Sequence, residues 1–376
     1  MDNLRRGIQT RSIRGALRSQ WVQREVAVTD EMYRSLEKAP PTLVDEAGNY
    51  RPGWFEESPK DLNLASLGTA LKRFHRWFFI HFDTKDYFVG ANLIDLFHGG
   101  NAGVVFLDKE SGEFKVESDS ALFFMNGVEI DSSCRRFTDK RSGSRLEISD
   151  DDRRLEFDIR CKTMHLRGVA EEIFARPFIQ STAFHSGHGA LQSWGNLRLA
   201  EGELKVGRRW ISIDGGTLGA YDRSLGHRRP LENWNWIASC GRVKAAETGK
   251  EELFALHAAR DRSFAQPQVE ARKYSLWLGD AHLKLADLRF EYLYSDRSKR
   301  KTGEWTISSP RRPGYPSLNL KFIPRYQRRD AHRIPCVFNV DHSQYFGELS
   351  GDVYLNDKRY VVSDVFATTE DSMMIV

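Results

Sequence analysis

Cysteine is scarce in this 376-residue chain, with only four residues, Cys134, Cys161, Cys240 and Cys336. No two stand at zinc-finger or redox-motif spacing, which excludes those sites. Reduced thiols and a cytoplasmic setting are the expectation. Long apolar runs are missing too. Nothing approaches the ~20 residues that span a bilayer as a helix, and the opening MDNLRRGIQTRSIRGALRSQ lacks the apolar core of a secretory signal. Charge of one sign is absent: the net charge is +4, and basic runs such as 297–301 and Arg328-Arg329 are interrupted by acids. That distribution argues against a dedicated nucleic-acid surface. Phosphate cradles are missing as well. Neither Gly99-Gly100 nor Gly215-Gly216 has a GxxxxGK[ST] or helix-opening GxGxxG layout, and both fit hairpin turns. No GxSxG nucleophile elbow occurs.

Beyond residue 71 no helical pattern exceeds three turns. What is there is strand. Residues 1–41 read as a basic N-terminal arm, a short helix with Leu4, Ile8 and Leu17 near one face, which packs on the domain or makes weak peripheral contact with a membrane surface. Residues 42–66, with Pro52-Gly53 and Pro59, read as an irregular connector, and a short helix or turn begins near Asp61 or Asn63. From Arg73 onward, strand-length pieces recur between charged turns: FHRWFFIHF, YFVGANLIDL, GVVFLDK, RLEFDIRC. In the last of these Leu155, Phe157 and Ile159 alternate with Glu156 and Asp158, as in an antiparallel strand with one wet face. The texture continues to the C-terminus and predicts an all-β protein of two units, 42–200 and 201–376.

The stretch 215–241, GGTLGAYDRSLGHRRPLENWNWIASCG, is the candidate site. On a strand, Tyr221 and Arg223 point one way and Asp222 the other. Placed among aromatics, Asp222 would lose hydration and its pKa would rise, and a protonated carboxyl group can deliver a proton to an alkene. Trp234 and Trp236 share one face of the next strand, with Asn235 between them, and their rings could steady a carbocation by ~0.5–2 kcal/mol each. The structural alternative makes Asp222 a buried strut to Arg223, Arg228 or Arg242, with the tryptophans as core. His185 and His188 are spaced like a metal pair, but no third ligand stands near, so no metal site is expected. They either cross the mouth of the unit as a loop or contact ligand and shuttle protons. His75 and His81 could share a face as core or rim residues, and His98 lies beside the same strands. Trp77 belongs to the first aromatic strand. Asn92, in the second, either orients a ligand or pins a turn.

Four blocks carry a family resemblance: LVDEAGNYRPGWFEESPKDLNL, KRFHRWFFIHFDTKDYFVGANLIDL, the 215–241 stretch, and HSQYFGELSGDVYLNDKRYVVSDVFATTE. Together, over roughly 42–370, they resemble the domain of unknown function 2804 family. That family looks related to a wider lipocalin-like group that includes AttH-like proteins and the hydroxyneurosporene synthases, which are carotenoid hydratases. The resemblance implies two tandem lipocalin-like antiparallel β-barrels. The group's motif maps onto Gly219, Tyr221, Asp222, Gly226, Trp234 and Trp236, with Ala220-Tyr221 standing where the group usually has Trp. It implies a cofactor-independent hydratase, isomerase or cyclase acting on an apolar isoprenoid or lipid-like molecule. In that reading Asp222, Tyr221 and His188 are catalytic, and Trp234, Trp236, Asn235, His185, Arg223, Trp77 and Asn92 contact ligand. The competing expectations are a non-catalytic carrier of the same class of molecule and a scaffold with no small-molecule site. No cofactor, no nucleic acid and a monomeric state complete the expectation.

Overall fold

The computed structural model describes residues 36–375 apart from 97–98, 123–127, 131–134, 150, 184–187, 228–230, 262–271, 293–302 and 335–337. The alternating segments form strands, in two sheets. The first contains β1 (Leu36–Glu37), β2 (Gly53–Phe55), β3 (Phe74–Asp83), β4 (Tyr87–Leu96), β5 (Gly99–Asp108), β6 (Phe114–Leu122), β7 (Val128–Ile130), β8 (Arg136–Asp139), β9 (Ser144–Ile148), β10 (Arg154–Arg160), β11 (Met164–Glu172), β12 (Phe178–Ala183), β13 (Gly189–Val206), β14 (Arg209–Ile213) and β15 (Leu218–His227). The second contains β16 (Leu231–Ala245), β17 (Glu251–Asp261), β18 (Arg272–Leu278), β19 (Ala281–Lys284), β20 (Arg289–Glu291), β21 (Trp305–Ser309), β22 (Ser317–Ile334), β23 (Phe338–Leu355) and β24 (Lys358–Ile375). The main path of the first runs β6-β5-β4-β3-β15-β13-β11-β10-β9-β8-β7, and the second runs β19-β18-β17-β16-β24-β23-β22-β21-β20. Among the described residues the named strands pair antiparallel except for the short parallel contact of β1 with β2.

The structure departs from the expectations at several points. The sheets are two curled half-barrels, not closed barrels: among the described residues the first path ends on β6 and β7 and the second on β19 and β20. The helix expected in the N-terminal arm is not supported. Residues 1–35 lie outside the described residues, and the arm's described end is strand β1, with Leu36 opposite Trp54. The helical element among the described residues is a 3-10 segment, Leu64–Arg73, broken at Gly68 where φ is 55°. The border drawn at 200/201 falls inside β13. Leu199 pairs with Ala170 and Glu201 with Val169, so Ala200 is absorbed as a bulge and the strand continues. The chain crosses from sheet to sheet between His227 and Leu231. Gly99-Gly100 is also not a turn but the start of β5, with Gly99 opposite Leu96.

Each sheet wraps its own core. Phe78, Phe82, Leu146 and Phe157 lie in the first, and Trp305, Leu320 and Phe322 in the second. In β10, Leu155, Phe157 and Ile159 are buried while Glu156 is exposed, as the alternation requires. A third apolar layer, with Phe88, Trp194, Trp277 and Phe346, packs the sheets against each other. Phe88 and Phe346 meet at 4.8 Å between ring centroids. Polar bonds cross the same seam: Trp277 Nε1 donates to the Arg176 carbonyl at 3.1 Å and Tyr326 Oη to the Lys109 carbonyl at 3.0 Å. Two buried histidines sit in this layer, His81 against Phe79 and Phe88, and His257 against Trp194 and Trp277. Neither ring nitrogen of either one meets a hydrogen-bond partner among the described residues.

Candidate functional site

The pleat of β15 decides where each of its side chains goes. Asp222 is opposite Trp194 of β13 and Phe79 of β3, and Ser224 is opposite Gln192 and Trp77. Phe79 in turn is opposite Asn92, and Trp77 opposite Ile94. Directly paired residues share a face, so Asp222, Gln192, Trp77, Phe79, Asn92 and Ile94 form one wall. The alternate residues, Tyr221 and Arg223, go into the core of the first sheet.

The second sheet builds the facing wall by the same rule. Trp234 is opposite Asp261 and Ser372, and Trp236 is opposite Ala259 and Glu370. Glu370 is opposite Gln344, and Ser372 opposite His342. Between the walls lies a cavity of about 450 Å³, lined by Asp222, Trp77, Phe79 and Asn92 from the first sheet and by Trp234, Trp236, His342 and Glu370 from the second. Phe79 and Trp236 meet edge to face at 6.3 Å, joining the cavity to the packed seam.

Hydrogen bonds hold the polar wall residues. Gln192 donates its side-chain amide to Asp222 Oδ1 and accepts from Lys273 Nζ at 3.4 Å. The Trp234 indole donates to Glu370 Oε2 at 3.0 Å, and the Gln344 amide to Oε1 at 3.5 Å. His342 Nε2 stands 3.8 Å from Glu370 Oε1, while its Nδ1 bonds Ser372 Oγ at 2.7 Å. Asn92 donates to Asn101 Oδ1 at 2.7 Å. A glycine makes room for it, because a Cβ on Gly103 would stand 2.5 Å from Asn92 Oδ1.

The structure thus brings Asp222, Trp77, Asn92, Trp234 and Trp236 together and sends other candidates elsewhere. Tyr221 is buried in the first core, stacked on Phe78 at 5.5 Å, with its hydroxyl 3.4 Å from Ser193 Oγ. Burial pushes its phenol pKa upward. Arg223 is equally buried and donates to Ser58 Oγ at 2.6 Å, 3.8 Å from Asp152. It therefore does not clamp Asp222 from the next position along the strand. Asn235 faces away from the cavity and donates to Tyr292 Oη at 3.2 Å and the Glu370 carbonyl at 3.3 Å. His188 stands one ring back, 4.5 Å from the cavity-lining His227. His185 and His98 lie outside the described residues. Glu370, His342, Gln192 and Lys273 were not anticipated. Glu370 and His342 sit at the ends of the closing family-like block, where no local pattern marks them.

Close to Tyr221, on the core side, Glu172 is fully enclosed. Burial lifts its pKa to about 8, although the Asn196 and Phe174 N–H groups donate to it. Gly195 keeps this corner closed, because a Cβ there would lie 2.0 Å from the Tyr221 ring and 2.4 Å from Glu172.

Among the described residues no helix is long and apolar enough to cross a membrane. No curated protein matches the sequence. Among solved structures, CghA in complex with Sch210972 aligns with 80% of this chain and 88% of its own, at TM-score 0.51 and 10% identity. An AttH-like protein from Nitrosomonas europaea aligns with 81% of this chain and 92% of its own, at TM-score 0.48 and 11% identity. At such identities the likeness to CghA is one of fold. The family signature of the domain of unknown function DUF2804 covers residues 34–374, and the chain belongs to that family.

Proposed function

We propose that the cavity between the sheets, in a lipocalin-like architecture, binds a small molecule with an apolar, isoprenoid- or lipid-like body, and that Asp222 protonates a double bond of it. One observation carries the reading. The pleat sets Asp222 in the same cavity as Trp77, Phe79, Trp234 and Trp236, while its neighbour Arg223 is buried on the opposite face. In the reaction the Asp222 proton adds to one alkene carbon and the π electrons form the new C–H bond. The adjacent carbon becomes cationic and is steadied by the aromatic faces. Water then adds and releases a proton to the carboxylate, giving hydration; or the cation loses a different proton to a second carboxylate such as Glu370, giving isomerisation; or the π electrons of a second double bond first close a ring onto the cation and the new cation loses its proton, giving cyclisation.

A second reading has its own support. An amide donated by Gln192 to Asp222 favours the ionised carboxylate, which suits a carrier that binds without turnover. Native mass spectrometry of the purified protein identifies the bound molecule. Incubation of that molecule with wild type and Asp222→Asn then separates the readings. Turnover by wild type that is lost in a variant still binding the molecule supports the acid. Binding by both without conversion supports the carrier.

A further inference from the structure

Resting on the reading of the cavity as a small-molecule site, we propose that His342 and Glu370 form a subsite for a hydroxyl group, so that the ligand is an alcohol with an apolar body. Strand pairing lays two neighbouring rungs along the second-sheet wall: His342, Ser372 and Trp234 on one, and Gln344, Glu370 and Trp236 on the next. His342 and Glu370 both line the cavity, while Ser372 is buried beside them. Ser372 decides where the imidazole carries its hydrogen. Among the described residues the hydrogen-bond partner of the Ser372 hydroxyl is His342 Nδ1, at 2.7 Å. A buried hydroxyl hydrogen without an acceptor is costly. Satisfaction of that hydroxyl therefore assigns Ser372 as the donor to Nδ1, which leaves the hydrogen of the neutral ring on Nε2.

Nε2 stands 3.8 Å from Glu370 Oε1. That is too far for a hydrogen bond between them, and near enough for one oxygen atom to reach both at about 2.8 Å. The Glu370 carboxylate has capacity for it. The Trp234 indole holds Oε2 at 3.0 Å, whereas the contact of the Gln344 amide with Oε1 is long, at 3.5 Å, and a carboxylate oxygen accepts more than one donor. The gap therefore presents one N–H to give and one carboxylate oxygen to receive. A hydroxyl oxygen meets both at once, accepting from Nε2 and donating to Oε1. An ether only accepts, a carboxylate has no hydrogen for Glu370, and an ammonium has no lone pair for the Nε2 hydrogen. The Trp234 ring, its centroid 6.4 Å from that of His342, flanks the gap with apolar surface for the first carbons of the chain.

The test titrates geraniol and geranyl methyl ether calorimetrically into the full-length protein. The two share one isoprenoid body, and the ether lacks the hydrogen that Glu370 accepts. Geraniol should bind about tenfold more tightly, as fits a hydrogen bond to a charged acceptor. Glu370→Gln, with its oxygen kept on the Trp234 indole, turns an NH2 towards the gap and should remove the preference. His342→Phe takes away the Nε2 donor and should weaken both probes by a similar factor, leaving the preference in place. The ether binding as tightly as geraniol to wild type overturns the subsite while leaving the cavity as a ligand site, and this comparison needs no variant to fold. A preference that survives Glu370→Gln reflects the size of the added methyl group and also overturns the subsite. Absence of binding by either probe overturns both the subsite and the cavity reading.

Discussion

The buried histidines between the sheets should make the protein acid-labile in a way that two substitutions can isolate. Burial among rings, with no hydrogen-bond partner on either nitrogen among the described residues, holds the His81 imidazole pKa down from 6.5 to about 3. His257 is driven well below the ordinary value by burial and then by the neighbouring His81 and His282. A folded-state pKa below the unfolded one means that the unfolded chain takes up a proton that the fold refuses. The stability is therefore complete above 6.5 and lost as pH falls from 6.5 towards about 3. At pH 5, about 1.5 pH units below the unfolded value, His81 costs about 2 kcal/mol. His257 adds a loss of the same sign, and the sum is a substantial part of a typical stability of about 5–15 kcal/mol. His81→Leu and His257→Leu keep the sites apolar and remove the titration. Urea unfolding followed by tryptophan fluorescence, at about pH 7.5 and about pH 5, measures the difference. The His81→Leu variant should show a stability gap between the two pH values narrower by about 2 kcal/mol, and the double variant narrower still. An unchanged gap in both variants would refute the reasoning, because it would mean that the imidazoles are solvated or hydrogen-bonded in solution.

Other groups titrate with the opposite sign or report on packing. Glu172 is raised to about 8 by burial, so the fold favours its acid form and loses stability as pH rises from 4.5 to about 8. Glu172→Gln should flatten that decline, by a few kcal/mol at about pH 8 in chemical denaturation. Lys284 Nζ lies 4.8 Å from both the Trp54 and Phe178 ring centroids and donates to Gln180 Oε1 at 2.7 Å. Burial, and then Lys273, lower its pKa to about 7, so stability should climb from about pH 7 towards 10.5, and Lys284→Met should remove the climb. Gly195→Ala drives a methyl group into Tyr221 and Glu172. It should destabilise by about 1–3 kcal/mol, seen as a lower midpoint in thermal melts monitored by circular dichroism.

Local pattern carried part of this architecture. The alternation of Tyr221, Asp222 and Arg223 gave the correct separation of faces, because a pleat is a property of consecutive residues. The shared face of Trp234 and Trp236 followed for the same reason. Partners across strands were out of reach. Trp234 bonds Glu370, 136 positions away, and nothing local states that β16 lies beside β24 in that register. Asn235 shows the cost: adjacent to two cavity tryptophans, it looked like a ligand contact, yet the pleat turns it to the other side. Where one unit passes into the next was not legible locally either, since only the long pairing with β11 shows β13 running through Ala200 with a bulge. The closed barrels failed differently. Strand texture reports the pleat but not whether the last strand finds the first.

Because β15 presents Asp222 and Ser224 to one side and the fully enclosed Tyr221 and Arg223 to the other, neither of its faces is spare. Loss or gain of a single residue inside it would exchange the two faces and place an aspartate in the core. Substitutions on the cavity side of β15 therefore reshape the cavity without disturbing the core, while length changes are confined to the turns. Chemical diversification on this scaffold should appear as variation in side-chain size and charge at Trp77, Asn92, Asp222, Trp234 and Glu370, over strands whose length and phase stay constant.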